Sequence, residues 1–137
     1  MPALDIAQEE LGHLTPEAMS EVAELLKVDP GYVVGVATFY PLFHLEPTGK
    51  HHFYVCTNLP CALRGAAEIC DHIKKRVGVE DFGEVSTDGL FSVEEVECLG
   101  ACEYAPMMRY RHRYHYDLTL EKVDALIDRA REERNGD

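Results

Sequence analysis

The sequence is poor in basic residues, in long apolar runs and in targeting signals. Its 137 residues contain 13 Lys and Arg against 25 Asp and Glu, which gives a formal net charge of −12. A general nucleic-acid binder needs a basic surface to replace phosphate counterions, so this balance argues against that class. No apolar run approaches the roughly 18 residues of a membrane-spanning helix, and no signal-peptide pattern opens the sequence. We therefore expect a soluble cytoplasmic protein.

Cysteine is also scarce. Five cysteines are too few for a secreted disulfide scaffold, and their number is odd. In a reducing compartment the remaining uses of cysteine are metal ligation, thiol chemistry and core packing. The sequence has no internal repeat and no G-x-G-x-x-G loop that would cradle a dinucleotide. We therefore expect no dinucleotide-binding site in this chain.

Residues 1–48 are predicted to form a short N-terminal helical segment. Thr15-Pro16 and Asp29-Pro30 are both typical of a helix start, with a capping side chain followed by proline. Apolar residues follow the first start at helical spacing, at Met19, Val22, Ala23 and Leu26. The Pro47–Lys50 stretch has the composition of a linker, and it places the boundary after residue 48.

Residues 49–137 are predicted to form an α/β domain. The predicted elements are, in order, strand His52–Cys56, helix Leu63–Val77, strand Phe91–Glu97, a hairpin of Met107–Tyr110 with Tyr114–Tyr116, and a helix from Thr119. A right-handed βαβ crossover followed by an antiparallel hairpin and a covering helix is a thioredoxin-like arrangement.

Four of the cysteines form two pairs, and each pair comes directly after a predicted strand. Cys56 and Cys61 have C-x4-C spacing, and Cys98 and Cys102 have C-x3-C spacing. The C-terminal ends of the two parallel strands in a βαβ unit lie at one edge of the sheet, so we expect the four thiols to converge there. Four converging thiols suit zinc or an iron–sulfur cluster.

The wide spacing of both pairs favours a 2Fe–2S cluster in which each pair holds one iron. Zinc is usually held by tighter C-x2-C turns, and the plant-type ferredoxin spacing is different. The first strand-to-helix turn lacks the C-x-x-C of thiol redox enzymes. Spacing alone leaves zinc, thiol chemistry and inert core cysteines open. The fifth cysteine, Cys70, lies on the apolar stripe of its predicted helix, and we expect it to pack in the core.

Several motifs carry a resemblance to a known family. They are Ala37-Thr38-Phe39-Tyr40, Pro47-Thr48-Gly49-Lys50, Cys56-x4-Cys61 with Pro60, and Val96-Glu97-Cys98-Leu99-Gly100-Ala101-Cys102 followed by Pro106. From about Thr15 to Ile127 the chain resembles the 2Fe–2S subunit of NADH:quinone oxidoreductase (respiratory complex I) and the related subunits of NAD-linked hydrogenases and formate dehydrogenases. The resemblance implies a thioredoxin-like ferredoxin domain with one 2Fe–2S cluster on Cys56, Cys61, Cys98 and Cys102.

The resemblance also implies a role and a partner. The chain would be a one-electron carrier, an oxidoreductase subunit with no catalytic residues of its own, in a multi-subunit complex at the cytoplasmic face of the membrane. Its partner would be a flavoprotein subunit that binds FMN and NADH. Phe39, Tyr40 and Phe43 are candidates for contacting that partner or for packing within the helical segment. The alternatives are a hydrogenase or formate dehydrogenase subunit, a free ferredoxin, and a zinc-stapled binding domain.

Two features depart from the family pattern. Little precedes Leu4, so the helical N-terminal region looks shortened. The hairpin turn is Arg111-His112-Arg113, where the family usually has Asn or Asp. Neither departure involves a predicted ligand.

Acidic residues surround the second cysteine pair. Residues 80–103 contain eight acidic and no basic side chains, and those nearest the pair are Glu94, Glu95, Glu97 and Glu103. A 2Fe–2S cluster with four thiolates is already negatively charged, and reduction adds one further negative charge. We therefore predict a low potential, in or below the region of about −400 mV typical of plant-type ferredoxins. Screening of these carboxylates by water would weaken the effect.

Overall fold

The computed structural model describes residues 1–134 of the chain. It divides the chain into a helical unit, Met1–Thr48, and an α/β unit that begins at Gly49. Among the described residues, no helix has both the length and the apolar character needed to cross a lipid bilayer.

The helical unit contains three helices, α1 (Pro2–Leu11), α2 (Pro16–Leu26) and α3 (Pro30–Phe39). The two predicted helix starts are confirmed, because the Thr15 side chain accepts a hydrogen bond from the Ala18 N–H and the Asp29 side chain accepts one from the Gly31 N–H. The core of this unit is formed by Leu4, Leu14, Met19, Val22, Ala23, Val33, Ala37 and Phe43.

The aromatic residues at the end of α3 and beyond it separate into two groups. Phe43 is only 6% exposed and packs in the core of the helical unit, so the structure shows the packing role for this residue. Phe39 is 76% exposed and Tyr40 is 38% exposed. Of the three aromatic candidates, only Phe39 and Tyr40 are accessible at the surface.

The α/β unit has the predicted order of strands and helices, β-α-β-β-β-α, except that two helices lie between the first two strands where one was predicted. Its elements are β1 (His51–Cys56), α4 (Leu59–Leu63), α5 (Ala66–Val77), β2 (Phe91–Val96), a 3₁₀ turn (Cys102–Tyr104), β3 (Met108–Tyr110), β4 (Arg113–His115) and α6 (Leu120–Arg134). The sheet order is β2-β1-β3-β4, with β1 parallel to β2 and antiparallel to β3. Helices α5 and α6 contribute Ile69, Ile73, Val123 and Ile127 to a core shared with the sheet.

The parallel strands β1 and β2 determine where the two cysteine-bearing loops begin. The register of β1 and β2 runs from His51 opposite Phe91 to Cys56 opposite Val96. Both strands therefore end at the same edge of the sheet, and the loops that follow them start side by side. One further backbone hydrogen bond, from the Thr57 N–H to the Val96 carbonyl at 3.1 Å, continues the ladder beyond the strands.

The prediction of a single helix that begins at residue 63 and ends at residue 77 is wrong at its beginning. The structure has two helices there, α4 and α5, and the chain changes direction at Gly65, whose φ is +96°. Asn58 caps α4 and Pro60 occupies its first turn, so a helix begins inside the cysteine loop. A positive φ is readily adopted by glycine, and this allows the break.

The hairpin between β3 and β4 is confirmed, with β4 one residue earlier than predicted. Its two-residue turn is formed by Arg111 and His112, whose φ angles are +50° and +60°. Such turns usually contain Asn or Gly because both central residues are left-handed. Here Arg111 Nη2 forms an ion pair with Glu133 Oε2 at 2.5 Å. Arg109 Nη2 donates a hydrogen bond to His112 Nδ1 at 2.9 Å.

Candidate metal centre

Each of the four predicted cysteines lies close to the end of a structural element. Cys56 is the last residue of β1, and Cys61 lies in α4, the short helix that follows. Cys98 lies in the loop after β2, and Cys102 begins the 3₁₀ turn. The shared register of β1 and β2 places all four at one edge of the sheet.

The structure brings the four thiols together. The Sγ atoms of Cys98 and Cys102 are 3.4 Å apart, and the thiols of Cys56 and Cys61 are hydrogen-bonded to each other. Cys102 also interacts electrostatically with both Cys56 and Cys61, so the two pairs are in range of one another. These four cysteines together supply four sulfur donors at one site.

The two pairs differ in their environment. Cys56 and Cys61 are 2% and 1% exposed and pack in a small apolar cluster with Ala66, Ala105 and Met107. Cys98 and Cys102 are exposed. The centre therefore has an inner pair, Cys56 and Cys61, and an outer pair, Cys98 and Cys102.

Backbone groups hydrogen-bond sulfur in both pairs. The Gly100 N–H donates to Cys98 Sγ at 3.3 Å, and Gly100 adopts a φ of +81° that favours glycine. The backbone of Met107 hydrogen-bonds the Cys61 thiol and favours its thiolate form. Hydrogen bonds to sulfur are one of the means by which proteins tune iron–sulfur clusters.

Without a metal, one thiol of each pair, Cys61 and Cys102, favours its protonated form. Burial and the hydrogen bond with Cys56 raise the pKa of Cys61 to about 11. The hydrogen bond with Cys98 raises the pKa of Cys102, and burial adds to that shift. A metal must therefore displace protons from these sulfurs when it binds.

The acidic residues near the outer pair are not equivalent. Glu94 is part of β2, and its carboxylate lies 3.2 Å from the His52 ring. Glu95, Glu97 and Glu103 are exposed. The carboxylate of Glu97, the residue before Cys98, accepts a hydrogen bond from Asn58 Nδ2 at 3.1 Å.

Asn58 is a residue at this edge that sequence reasoning did not single out. It lies inside the Cys56–Cys61 loop, and its Oδ1 accepts a hydrogen bond from the Leu59 N–H at 2.7 Å. The sequence does contain one indication of this role, since an Asn two residues before Pro60 is a favourable helix cap. Its contact with Glu97 joins residues 39 positions apart and has no local sequence pattern.

Cys70 packs in the core, as predicted. It is 3% exposed, lies in the main apolar cluster of the α/β unit, and has a pKa raised to about 11 by burial. It is therefore separate from the four converging thiols. The odd cysteine count is accounted for by four residues at the edge and one in the core.

A four-sulfur donor set of this kind fits an iron–sulfur cluster or structural zinc. Comparison with known proteins distinguishes the two. The model of the family "Thioredoxin-like [2Fe-2S] ferredoxin" matches residues 1–131, and the chain belongs to this family. Its cofactor is therefore a 2Fe–2S cluster.

Curated relatives cover nearly the whole chain. The chain is 44% identical over 131 residues to an NADH-quinone oxidoreductase subunit of Rhizobium meliloti, covering 96% of this chain and 77% of the relative. It is 41% identical over 128 residues to NADH-quinone oxidoreductase subunit 2 of Thermus thermophilus, covering 93% of this chain and 70% of the relative.

A solved structure shows the same fold. The chain matches an NAD⁺-reducing [NiFe]-hydrogenase in the air-oxidized state with a TM-score of 0.79 at 21% identity. The match covers 96% of this chain and 23% of the hydrogenase chain. Together these findings confirm the thioredoxin-like α/β fold class, the 2Fe–2S cofactor and the kinship with subunits of NADH-quinone oxidoreductases.

Proposed function

We propose that Cys56, Cys61, Cys98 and Cys102 ligate a single 2Fe–2S cluster, with one iron on the inner pair and one on the outer pair. The observation that carries this proposal is the convergence of four thiols at the edge where β1 and β2 end. Cys70 is excluded as a ligand because it is packed in the core on α5.

A bound 2Fe–2S cluster accepts and releases one electron. The residues of the chain set the conditions for this exchange. The inner pair is anchored by a strand and a helix within an apolar cluster, which keeps water from that side. The outer pair lies at the surface, where a redox partner has access. Gly100 and Met107 direct backbone hydrogen bonds to sulfur and offset part of the negative charge.

The function that follows is one-electron transfer within an NADH:quinone oxidoreductase. In this proposal the chain exchanges electrons with FMN on a partner flavoprotein subunit, which also binds NADH. Support comes from sequence identity above 40% to named subunits over nearly the whole chain. We place the chain at the cytoplasmic face of the membrane, held there by the parent complex, with substrate chemistry confined to the partner.

The second candidate is the corresponding subunit of an NAD-linked hydrogenase or formate dehydrogenase. The fold likeness to the NAD⁺-reducing hydrogenase favours it, although at 21% identity that likeness concerns the fold alone. The zinc-stapled binding domain loses its support, because the chain belongs to a 2Fe–2S family.

The surface around the cysteine edge suits a protein partner. Leu59 and Leu63, which flank Cys61 on α4, are 66% and 78% exposed. Tyr104, which follows Cys102 on the 3₁₀ turn, is 46% exposed. Large apolar and aromatic side chains in the centre of an interface supply much of its binding energy. We propose that these three residues contact the flavoprotein subunit.

The test is reconstitution of the chain with purified, FMN-loaded flavoprotein subunits from an NADH:quinone oxidoreductase and from an NAD-linked hydrogenase. We expect the chain to co-elute with the first subunit, and we expect NADH to reduce its cluster only in that mixture. A Leu59→Ser/Leu63→Ser variant should bind roughly tenfold more weakly, whereas Leu59→Met/Leu63→Met, which preserves the apolar surface, should bind like the wild type.

Tighter binding to the hydrogenase subunit would establish the second candidate. Failure to bind either flavoprotein would contradict both. Equal binding by the serine and methionine variants would show that the interface lies elsewhere on the chain.

A further inference from the structure

The two cysteine loops are joined by a side-chain hydrogen bond. Asn58 lies between Cys56 and Cys61, and Glu97 directly precedes Cys98. Asn58 Nδ2 donates to Glu97 Oε2 at 3.1 Å. One bond therefore connects the loop that carries the inner pair with the loop that carries the outer pair.

This bond lies directly beyond the end of the parallel ladder. Cys56 pairs with Val96 in the sheet, and the Thr57 N–H then donates to the Val96 carbonyl at 3.1 Å. Asn58 and Glu97 are the next residues on each side. Their side chains continue the pairing at the point where the two backbones separate to form the cysteine loops.

Both ends of the Asn58 amide are used. Its Oδ1 accepts from the Leu59 N–H at 2.7 Å and caps α4, the helix that carries Cys61. Its Nδ2 is the donor to Glu97. The position of Cys61 is thereby linked through a single side chain to the residue next to Cys98.

We propose that Asn58 and Glu97 form a positioning pair that holds the inner and outer cysteines at the spacing required by the cluster and slows cluster loss. The proposal rests on the proposed ligand set. A positioning role of this kind is expected at metal sites, because groups that orient the ligands commonly change metal affinity by roughly 10- to 100-fold.

The pair has two separable properties, a hydrogen bond and a negative charge. Glu97→Gln removes the charge and retains an oxygen that accepts from Asn58. Glu97→Ala removes the charge and the acceptor together. Both variants are neutral, so a difference between them does not come from the charge and reports on the side chain that accepts from Asn58.

Exchanging the donor and the acceptor between residues 58 and 97 gives a second, independent test. Asn58→Asp retains the oxygen that caps Leu59, but it replaces the donor with a carboxylate that faces Glu97. Combining Asn58→Asp with Glu97→Gln restores one donor and one acceptor in exchanged positions. The double variant has the same net charge as the wild type.

The measurement is the rate at which the visible absorbance of the cluster decays when an iron chelator is added anaerobically to the full chain. We expect Glu97→Ala and Asn58→Asp to lose the cluster roughly tenfold faster than the wild type. Glu97→Gln and the double variant should match the wild-type rate. Thermal unfolding of each loaded variant checks that the chain is folded at the assay temperature.

Equal decay rates for Glu97→Ala and Glu97→Gln would overturn the proposal, as would a double variant that decays as fast as Asn58→Asp. These results leave the ligand assignment untouched. A wild-type chain that takes up no iron and sulfide would instead overturn the ligand set, so the two failures are distinguishable.

Discussion

The Sγ atoms of Cys98 and Cys102 lie 3.4 Å apart on an exposed loop, next to two cysteines that are almost completely buried. The four proposed ligands therefore belong to an inner pair fixed by β1 and α4 and an outer pair fixed by a loop around Gly100. This difference makes the outer pair the side of the proposed centre that is accessible from solvent.

The first prediction concerns thiol reactivity in the cluster-free protein. Iodoacetamide at pH 8 should modify Cys98 and Cys102 well before Cys56, Cys61 and Cys70, because the latter three are buried. The raised pKa values of Cys61 and Cys70, both about 11, leave little reactive thiolate at that pH. Mass spectrometry of peptides after timed quenching gives the order. Urea-unfolded protein, in which all five should react alike, is the control, and uniform reactivity in the folded chain would contradict the prediction.

The second prediction concerns Cys70. Cys70→Ser should leave iron and sulfide content unchanged, because this residue packs in the core. It should lower the free energy of unfolding by about 1–3 kcal/mol, since a hydroxyl replaces a thiol in an apolar site. Metal analysis and thermal unfolding test the two parts. Loss of iron from a folded Cys70→Ser variant would show that the core assignment is incomplete.

The third prediction concerns the reduction potential. Glu97→Gln/Glu103→Gln should raise the midpoint potential by roughly tens of millivolts, because two negative charges near the outer pair disfavour the addition of an electron. Redox titration at low ionic strength measures the shift, which should shrink in concentrated salt. Glu121→Gln, at the start of α6, is the matched control and should leave the potential unchanged. An unchanged midpoint in the double variant would show that these carboxylates are fully screened.

His51 is a buried titratable residue in the sheet. Its Nδ1 lies 2.8 Å from the Tyr110 hydroxyl and 3.5 Å from an Arg111 nitrogen, and among residues 1–134 its Nε2 has no hydrogen-bond partner. Burial lowers the pKa of His51 below its usual 6.5, and the charges of Arg111 and Lys50 act in the same direction. Glu133 opposes the shift.

The fourth prediction follows from the sign of that shift. Below pH 6.5 the unfolded chain binds a proton at His51, whereas the folded chain, in which the pKa of His51 is lower, does not. The free energy of unfolding therefore falls as the pH drops from 6.5 toward the pKa of His51 in the folded chain. His51→Gln removes this contribution, which is at most about 1.4 kcal/mol per pH unit. The stability gap between wild type and variant, measured by thermal unfolding, should therefore be largest near pH 7.5 and narrow near pH 5.5. A constant gap would contradict the prediction.

Features with local causes were predictable from the sequence. The helix starts at Thr15-Pro16 and Asp29-Pro30 depend on neighbouring residues alone, and the structure shows both capping bonds. The element order followed from hydrophobic periodicity in the same way. The meeting of the four thiols required one further step, namely that parallel strands end at a common edge.

Features that depend on distant partners were not predictable. Gly49 has the sequence context of a linker, yet its N–H donates to Ser92 Oγ at 2.9 Å and a side chain at this position would collide with the Phe91 backbone. For Phe43 the sequence leaves two roles open, and its burial in the helical unit decides between them. The Asn58–Glu97 bond depends on the register of β1 and β2, which no local pattern specifies.

The turn at Arg111-His112 shows that local sequence preference does not always predict a turn. Its composition argues against a tight hairpin, because neither residue is a usual occupant of a left-handed position. The structure adopts the turn nevertheless, with Arg111 paired to Glu133 of α6. Tertiary contacts here outweigh local preference.

The measurement that tests the ligand set most directly is a spin count on the dithionite-reduced protein together with its iron and sulfide content. We predict two irons, two sulfides and one unpaired electron per chain, all retained in Cys70→Ser and strongly reduced in Cys56→Ser and Cys98→Ser. A colourless chain that contains zinc and gives no signal on reduction would contradict the account.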